Sequence, residues 1–294
     1  MVLLAAFDCV DDTKLLSKAI VGEIIGDGKD EDSDKIEEIF GSEKAGRKVL
    51  LYLLGMHTNI YSKFFILRCR TSILKSPINA TRHFHETYTF FIVGRDTTYF
   101  APELIAQLKQ GDGNEHSKKE DSTRRNEILK SIEGRIYKFL NENINELLKD
   151  DSKCSIFVKA ALNCTGVSNE NVKPLLEKLS DIASEKFEVG SDNFVESAAG
   201  HMLLKKVIAH DKVRYAEGLE TFSQKLLCKL KEKKTMESYI KCNRGAFVLV
   251  TMIQTDISDL QKSVKDAMKS YKSVLKSQKI RGAEVLSEKL KDIK

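Results

Sequence analysis

One recurring pattern constrains this chain more than any other. Two or three polar residues lead to a small residue, and an apolar helix face follows. The pattern appears as Glu43-Lys-Ala-Gly46-Arg-Lys-Val-Leu-Leu-Tyr-Leu-Leu54 and as Ser197-Ala-Ala-Gly200-His-Met-Leu-Leu-Lys-Lys-Val-Ile208. It returns as Cys242-Asn-Arg-Gly245-Ala-Phe-Val-Leu-Val-Thr-Met-Ile253 and as Lys279-Ile-Arg-Gly282-Ala-Glu-Val-Leu-Ser-Glu-Lys-Leu290. A weaker copy runs from Asp151 to Leu162, with Cys154 in the small-residue slot. The last three steps between slots are 46, 45 and 37 residues. That spacing is the period of a helical-hairpin repeat, about 35–45 residues long. Each hairpin hides its apolar face only by stacking on its neighbours, so the pattern predicts an all-α solenoid. A glycine at the start of a repeat helix lets the preceding helix approach closely, and it needs no catalytic role.

Partner helices are predicted between the copies at 12–25, 122–148, 171–186, 219–230 and 257–275, each with apolar residues at helical spacing. The 122–148 stretch reads as one broken helix or two consecutive ones. With only three prolines in 294 residues, long runs pass without a helix breaker.

Charge is unevenly spread. From His201 onward there are 21 Lys+Arg against 11 Asp+Glu, a net of +10; the rest has 27 against 32, a net of −5. A basic C-terminal third points to an acidic partner, with nucleic acid the first candidate. Solvated lysine-rich helix faces are the bland alternative. The six cysteines form no Cys-x-x-Cys pair and lie near no histidine at metal-ligand spacing, which reads as reduced thiols. The opening run Met1–Phe7 lacks a basic flank and is too short for a signal peptide or a membrane span.

Two segments depart from the pattern. Residues 56–93 hold seven of the 22 aromatics, three of the six histidines and a single acid, Glu86, against five bases. They include Tyr88-Thr-Phe-Phe-Ile-Val93, which has strand propensity. The chain start, Val2–Phe7, reads as the second half of a repeat helix, so the expectation is an array truncated at its N-terminus.

Repeat and loops together resemble the Puf-A/Penguin-like family of Pumilio relatives. The sharpest stretches are Leu3–Lys14, Gly46–Leu54, Ala199–Lys205 and the loop Lys109-Gln-Gly-Asp-Gly-Asn-Glu-His-Ser-Lys-Lys119. The resemblance implies three regions: 1–55 as the end of the N-terminal Pumilio-like repeats, 56–93 as an insertion, and 94–294 as a C-terminal Penguin-like (CPL) helical region. In this family Leu54 runs almost directly into the segment before a helix at 101–110, and 56–93 has no counterpart. An unspliced intron or a lineage-specific insertion is the expectation, which transcript sequencing across codons 55–94 decides. The resemblance further implies a non-catalytic scaffold that binds structured RNA or double-stranded nucleic acid without sequence preference. It implies a place in the nucleus and nucleolus, work in pre-rRNA processing, large-subunit biogenesis or translational regulation, and pre-ribosomal proteins as further partners.

The resemblance does not extend to the Pumilio base code. There, side chains one and five residues after the slot bond a base and the second stacks on it. Here the triplets are Arg47/Lys48/Leu51, Ser155/Ile156/Lys159, His201/Met202/Lys205, Ala246/Phe247/Val250 and Ala283/Glu284/Ser287. None carries the expected hydrogen-bonding pair. Backbone recognition remains, with Lys205, Lys206, Lys212, Arg214, Lys225, Lys229, Lys231, Lys233, Lys234, Lys241 and Arg244 as candidate phosphate contacts.

Enzyme readings are weak. Gly111-Asp-Gly113 lacks the strand and Lys-Ser/Thr of a nucleotide loop. The acidic run 27–34 lacks calcium-ligand spacing. His83 and His85 have no third metal ligand at fitting spacing, and His201 reads as a helix-start histidine. No cofactor is expected. The competing function class is a protein-interaction solenoid without direct RNA contact.

Overall fold

The computed structural model describes residues 121–149, 158, 161–162 and 166–293. Among them every regular element is helical, and there is no strand. The expectations for 1–55, for the 56–93 segment and for the slots at 46 and 154 lie outside the described residues. The chain divides into two compact units, Met1–Phe139 and Leu140–Lys294.

Helix α1 spans Asp121–Lys149 as one unbroken helix. Gly134 does not interrupt it, and Ile136, Leu140, Ile144 and Leu147 are buried as their spacing predicts. Then come α2 (Asn169–Ala183), α3 (Ala198–Ala216), α4 (Phe222–Glu232), α5 (Met236–Lys241) and α6 (Asn243–Ile253). The array closes with α7 (Ser258–Met268), α8 (Lys272–Ser277) and α9 (Arg281–Asp292). A single helix was expected over 257–275. Instead a 3-10 turn, Lys269–Tyr271, separates α7 from α8. The two halves serve different neighbours: α7 packs on α4 and α6, whereas α8 packs on α5 and α9.

The stacking is that of a solenoid. α3 packs on α6 and α6 on α9, so the three slot-led helices form one layer. α2 packs on α4 and α4 on α7, forming the other. Leu204, Leu226, Leu230, Tyr239, Leu249 and Met252 are wholly removed from water in the core of this array.

The slot glycines show why a small residue recurs. A Cβ on Gly245 would lie 2.8 Å from the Tyr239 carbonyl oxygen, in α5. One on Gly282 would lie 2.6 Å from the Asn243 carbonyl oxygen, at the start of α6. One on Gly200 would meet the Phe194 carbonyl in the turn before α3. Close approach is therefore the role, although only at Gly282 does the crowding come from the stacked repeat. The glycine N–H groups are also satisfied: Gly200 donates to Ser197 Oγ at 2.9 Å, Gly245 to Cys242 Sγ at 3.2 Å, and Gly282 to Asn243 Oδ1 at 2.8 Å.

Candidate nucleic-acid interface

The eleven candidate cations do not share one environment. α4 carries Lys225 and Lys229, and Lys233 caps its C-terminus, so the three stand four residues apart in one row. α2 carries Glu177 and Asp181 at the same spacing, and α2 and α4 are packed together. The rows meet. Lys225 Nζ bonds Glu177 and Glu220, both at 2.8 Å. Lys229 Nζ bonds Glu177 at 2.5 Å and Asp181 at 2.6 Å. Lys233 Nζ reaches the Asp181 carbonyl at 3.1 Å and its carboxylate at 3.4 Å. The Lys225 and Lys229 side chains are only 9% and 12% exposed. Hydrogen bonds from Lys225 and Lys229 hold the Glu177 carboxyl down at about 2, and Lys229 lowers Asp181 as well.

Arg214 is also turned inward, 7% exposed. Its Nε donates to the Glu220 carbonyl at 3.1 Å and an Nη to Asn169 Oδ1 at 2.8 Å. It thus ties the end of α3 to the start of α2 and to the loop before α4. Arg214, Lys225 and Lys229 are occupied by this chain's own carboxylates, carbonyls and amide, so their charge is largely spent inside the fold.

Lys206, Lys212, Lys231, Lys234, Lys241 and Arg244 are exposed, and Lys205 is half-buried. Lys241 pairs along its own helix with Glu237 at 2.6 Å, and Lys212 lies 3.9 Å from Asp256. Both pairs sit at the surface, where such a pair is worth little and is readily exchanged for a phosphate. Arg244 donates to the Glu196 carbonyl just before α3. His201 is half-buried beside Lys205 and Arg244; burial first, then those two cations, push its imidazole below its usual value. It therefore adds no charge at neutral pH.

Base-reading geometry is missing on α6 and α9. Ala246, Val250 and Ala283, at the first and fifth positions after their slots, are buried. On α3 and α9 the second and sixth positions after the slot face water, and on α6 they are half-buried.

A family model for the CPL (NUC119) domain matches residues 85–218. That match begins inside the 56–93 segment. Pumilio homolog 3 of Homo sapiens is 32% identical over 298 residues, covering 99% of this chain and 38% of the relative. Pumilio homolog 3 of Danio rerio is 31% identical over 296 residues, covering 99% and 39%. A crystal structure of human Puf-A is 32% identical with a TM-score of 0.56, covering 98% of this chain and 47% of that one. The CPL match, the Pumilio homolog 3 relatives and the Puf-A structure together support a Puf-A/Penguin-like CPL protein. The chain spans little more than a third of the length of these curated Puf-A/Penguin-like relatives. A second structure, of human Puf-A in complex with DNA, is 31% identical with a TM-score of 0.56 and covers 98% of this chain and 46% of that one.

Sequence reasoning missed Asp211. It is the one acid on the buried face of α3, and it caps α4. Its carboxylate accepts from Phe222 N at 2.8 Å, Ser223 N at 2.9 Å and Ser223 Oγ at 2.5 Å. The signal was its phase: it follows Leu204, Val207 and Ile208 along the buried stripe.

Proposed function

We propose that this chain is a non-catalytic scaffold that binds structured or double-stranded RNA through its backbone. The observation that carries the reading is the likeness, across 98% of the chain, to a Puf-A structure held in a complex with DNA. The exposed cations Lys206, Lys212, Lys231, Lys234, Lys241 and Arg244, with Lys205, supply the contacts. Phosphate recognition by lysine carries no sequence information and releases counterions, so it is strongly salt-dependent. By the same reading the protein works in the nucleolus on pre-ribosomal RNA, alongside pre-ribosomal proteins.

Gel-shift titration of the full chain with a duplex RNA at rising salt tests this. Log affinity falls linearly with log salt if the reading is right. No shift at low salt, or an affinity indifferent to salt, refutes it.

A further inference from the structure

The layer α3–α6–α9 presents a solvent face at equivalent helix positions, the second, sixth and ninth after each slot glycine. On α3 these are Met202, Lys206 and Ala209, all exposed, and Val213 continues the stripe. On α6 they are Phe247 and Thr251, half-buried, and Gln254, exposed. On α9 they are Glu284, Glu288 and Lys291, all exposed. The face thus changes character from one helix to the next: apolar and basic, then neutral, then mainly acidic.

The α3 part is unusual for a surface. Met202 is 53% exposed and Val213 41%, on one stripe of a helix whose opposite side is already buried. A helix with apolar residues on both sides is one that expects cover on both sides. Lys206 lies on the stripe, Lys205 and Lys212 flank it, and the only acid in α3, Asp211, is buried.

A nucleic acid crossing this face would carry its phosphates from Lys206 past Thr251 onto Glu284 and Glu288. Those carboxylates repel it, and methionine and valine offer a phosphate nothing. A protein helix lying along α3 covers the methionine and valine with its own apolar side and stops short of Glu284 and Glu288.

We infer that this face is a docking surface for an acidic amphipathic helix of a protein partner, seated with its apolar side on Met202, Ala209, Val213 and Phe247 and its carboxylates beside Lys205, Lys206 and Lys212. The mode is a helix laid against a groove, with apolar anchors supplying affinity and the lysines setting orientation. Lys231, Lys234, Lys241 and Arg244 lie outside this stripe and can bind phosphate without it, whereas Lys205, Lys206 and Lys212 stand where the two surfaces meet.

The test is fluorescence anisotropy with the full chain and a labelled amphipathic peptide, leucines on one face and glutamates beside them. A second peptide carries lysines in place of the glutamates. The glutamate peptide binds saturably and the lysine peptide does not. The double variant Met202→Ser/Val213→Ser weakens the glutamate peptide by about tenfold or more and leaves duplex RNA affinity unchanged. Lys206→Glu shifts preference toward the lysine peptide. All these positions are at the surface, and circular dichroism confirms that each variant is folded. Equal binding of both peptides, no saturable binding of either, or indifference to Met202→Ser/Val213→Ser overturns the inference. So does a loss of RNA affinity in that double variant with peptide affinity intact, which would make this the nucleic-acid face.

Discussion

At the residue scale, the glycines divide into two kinds that the sequence alone does not separate. Gly245 stands where a Cβ would meet backbone of α5, both the carbonyl oxygen and, at 2.9 Å, the Cα of Tyr239. Backbone cannot swing aside as a side chain can. Gly245→Ala should therefore destabilise the chain by about 1–3 kcal/mol, read as a lower denaturant midpoint. Gly134, inside α1, has open space where a Cβ would stand, with nothing within 4 Å. Gly134→Ala should instead stabilise by about 1 kcal/mol through helix propensity. Equal effects at the two sites would sink the close-approach account of the slots.

Asp211 gives a second prediction at this scale. Burial raises its carboxyl to about 6 despite three donors that favour the ionised form. A carboxylate raised above its unfolded value of about 3.9 leaves the folded state holding the extra proton between those two values. Its contribution to stability is greatest below about pH 4 and is lost as pH rises through about 6. The span is worth about 3 kcal/mol at most. Asp211→Asn should flatten that part of a stability-against-pH curve. A slope between pH 4 and 6 that survives the substitution would assign it elsewhere. Asp211→Ala, which strands two buried N–H groups and a hydroxyl, should cost about 2–4 kcal/mol at any pH.

At the scale of elements, the α2–α4 seam is held by charge as well as by apolar burial. Charge reversal at Lys229 would set a new carboxylate against Glu177 and Asp181, so Lys229→Glu should lower the melting temperature. Reversal at the exposed Lys231 or Lys234 should leave it unchanged. Lys229 is thus unsuited to a test of RNA binding, because a loss of affinity there would report a weakened fold. The seam also titrates. Glu177 is held down at about 2, so its stabilisation is complete above about 4.5 and is lost as pH falls through about 2. That window lies below and runs opposite to the one set by Asp211. Helix positions were legible in the sequence because a 3.6-residue period needs only local residues. The row Lys225, Lys229, Lys233 was legible as a row but not as an inward one. Its direction depends on Glu177 and Asp181, about fifty residues earlier and on another helix. The matching four-residue spacing of those two acids was the available signal. The break between α7 and α8 was not legible for the same reason, since it is fixed by which neighbours each half must cover.

At the scale of the whole molecule, the net of +10 in the C-terminal third overstates what a polyanion meets. Three of the strongest-looking cations, Arg214, Lys225 and Lys229, are neutralised or bonded within the fold. Among the candidate contacts, what faces outward is a set of lysines and Arg244, and on α6 and α9 no base-reading pair joins them, since Ala246, Val250 and Ala283 occupy buried positions where the Pumilio code would need hydrogen-bonding side chains. Two consequences follow for one variant, Lys231→Glu/Lys234→Glu/Arg244→Glu. It should weaken binding to duplexes of unrelated sequence by the same factor, because phosphate recognition carries no sequence term. It should also reduce the slope of log affinity against log salt by about one for each phosphate left without its cation. Affinities measured for two unrelated duplexes at four salt concentrations separate these outcomes. A variant that lost affinity for one sequence alone would show that bases are read after all. A variant that lost affinity with an unchanged slope would show that these three cations act through the fold and touch no phosphate.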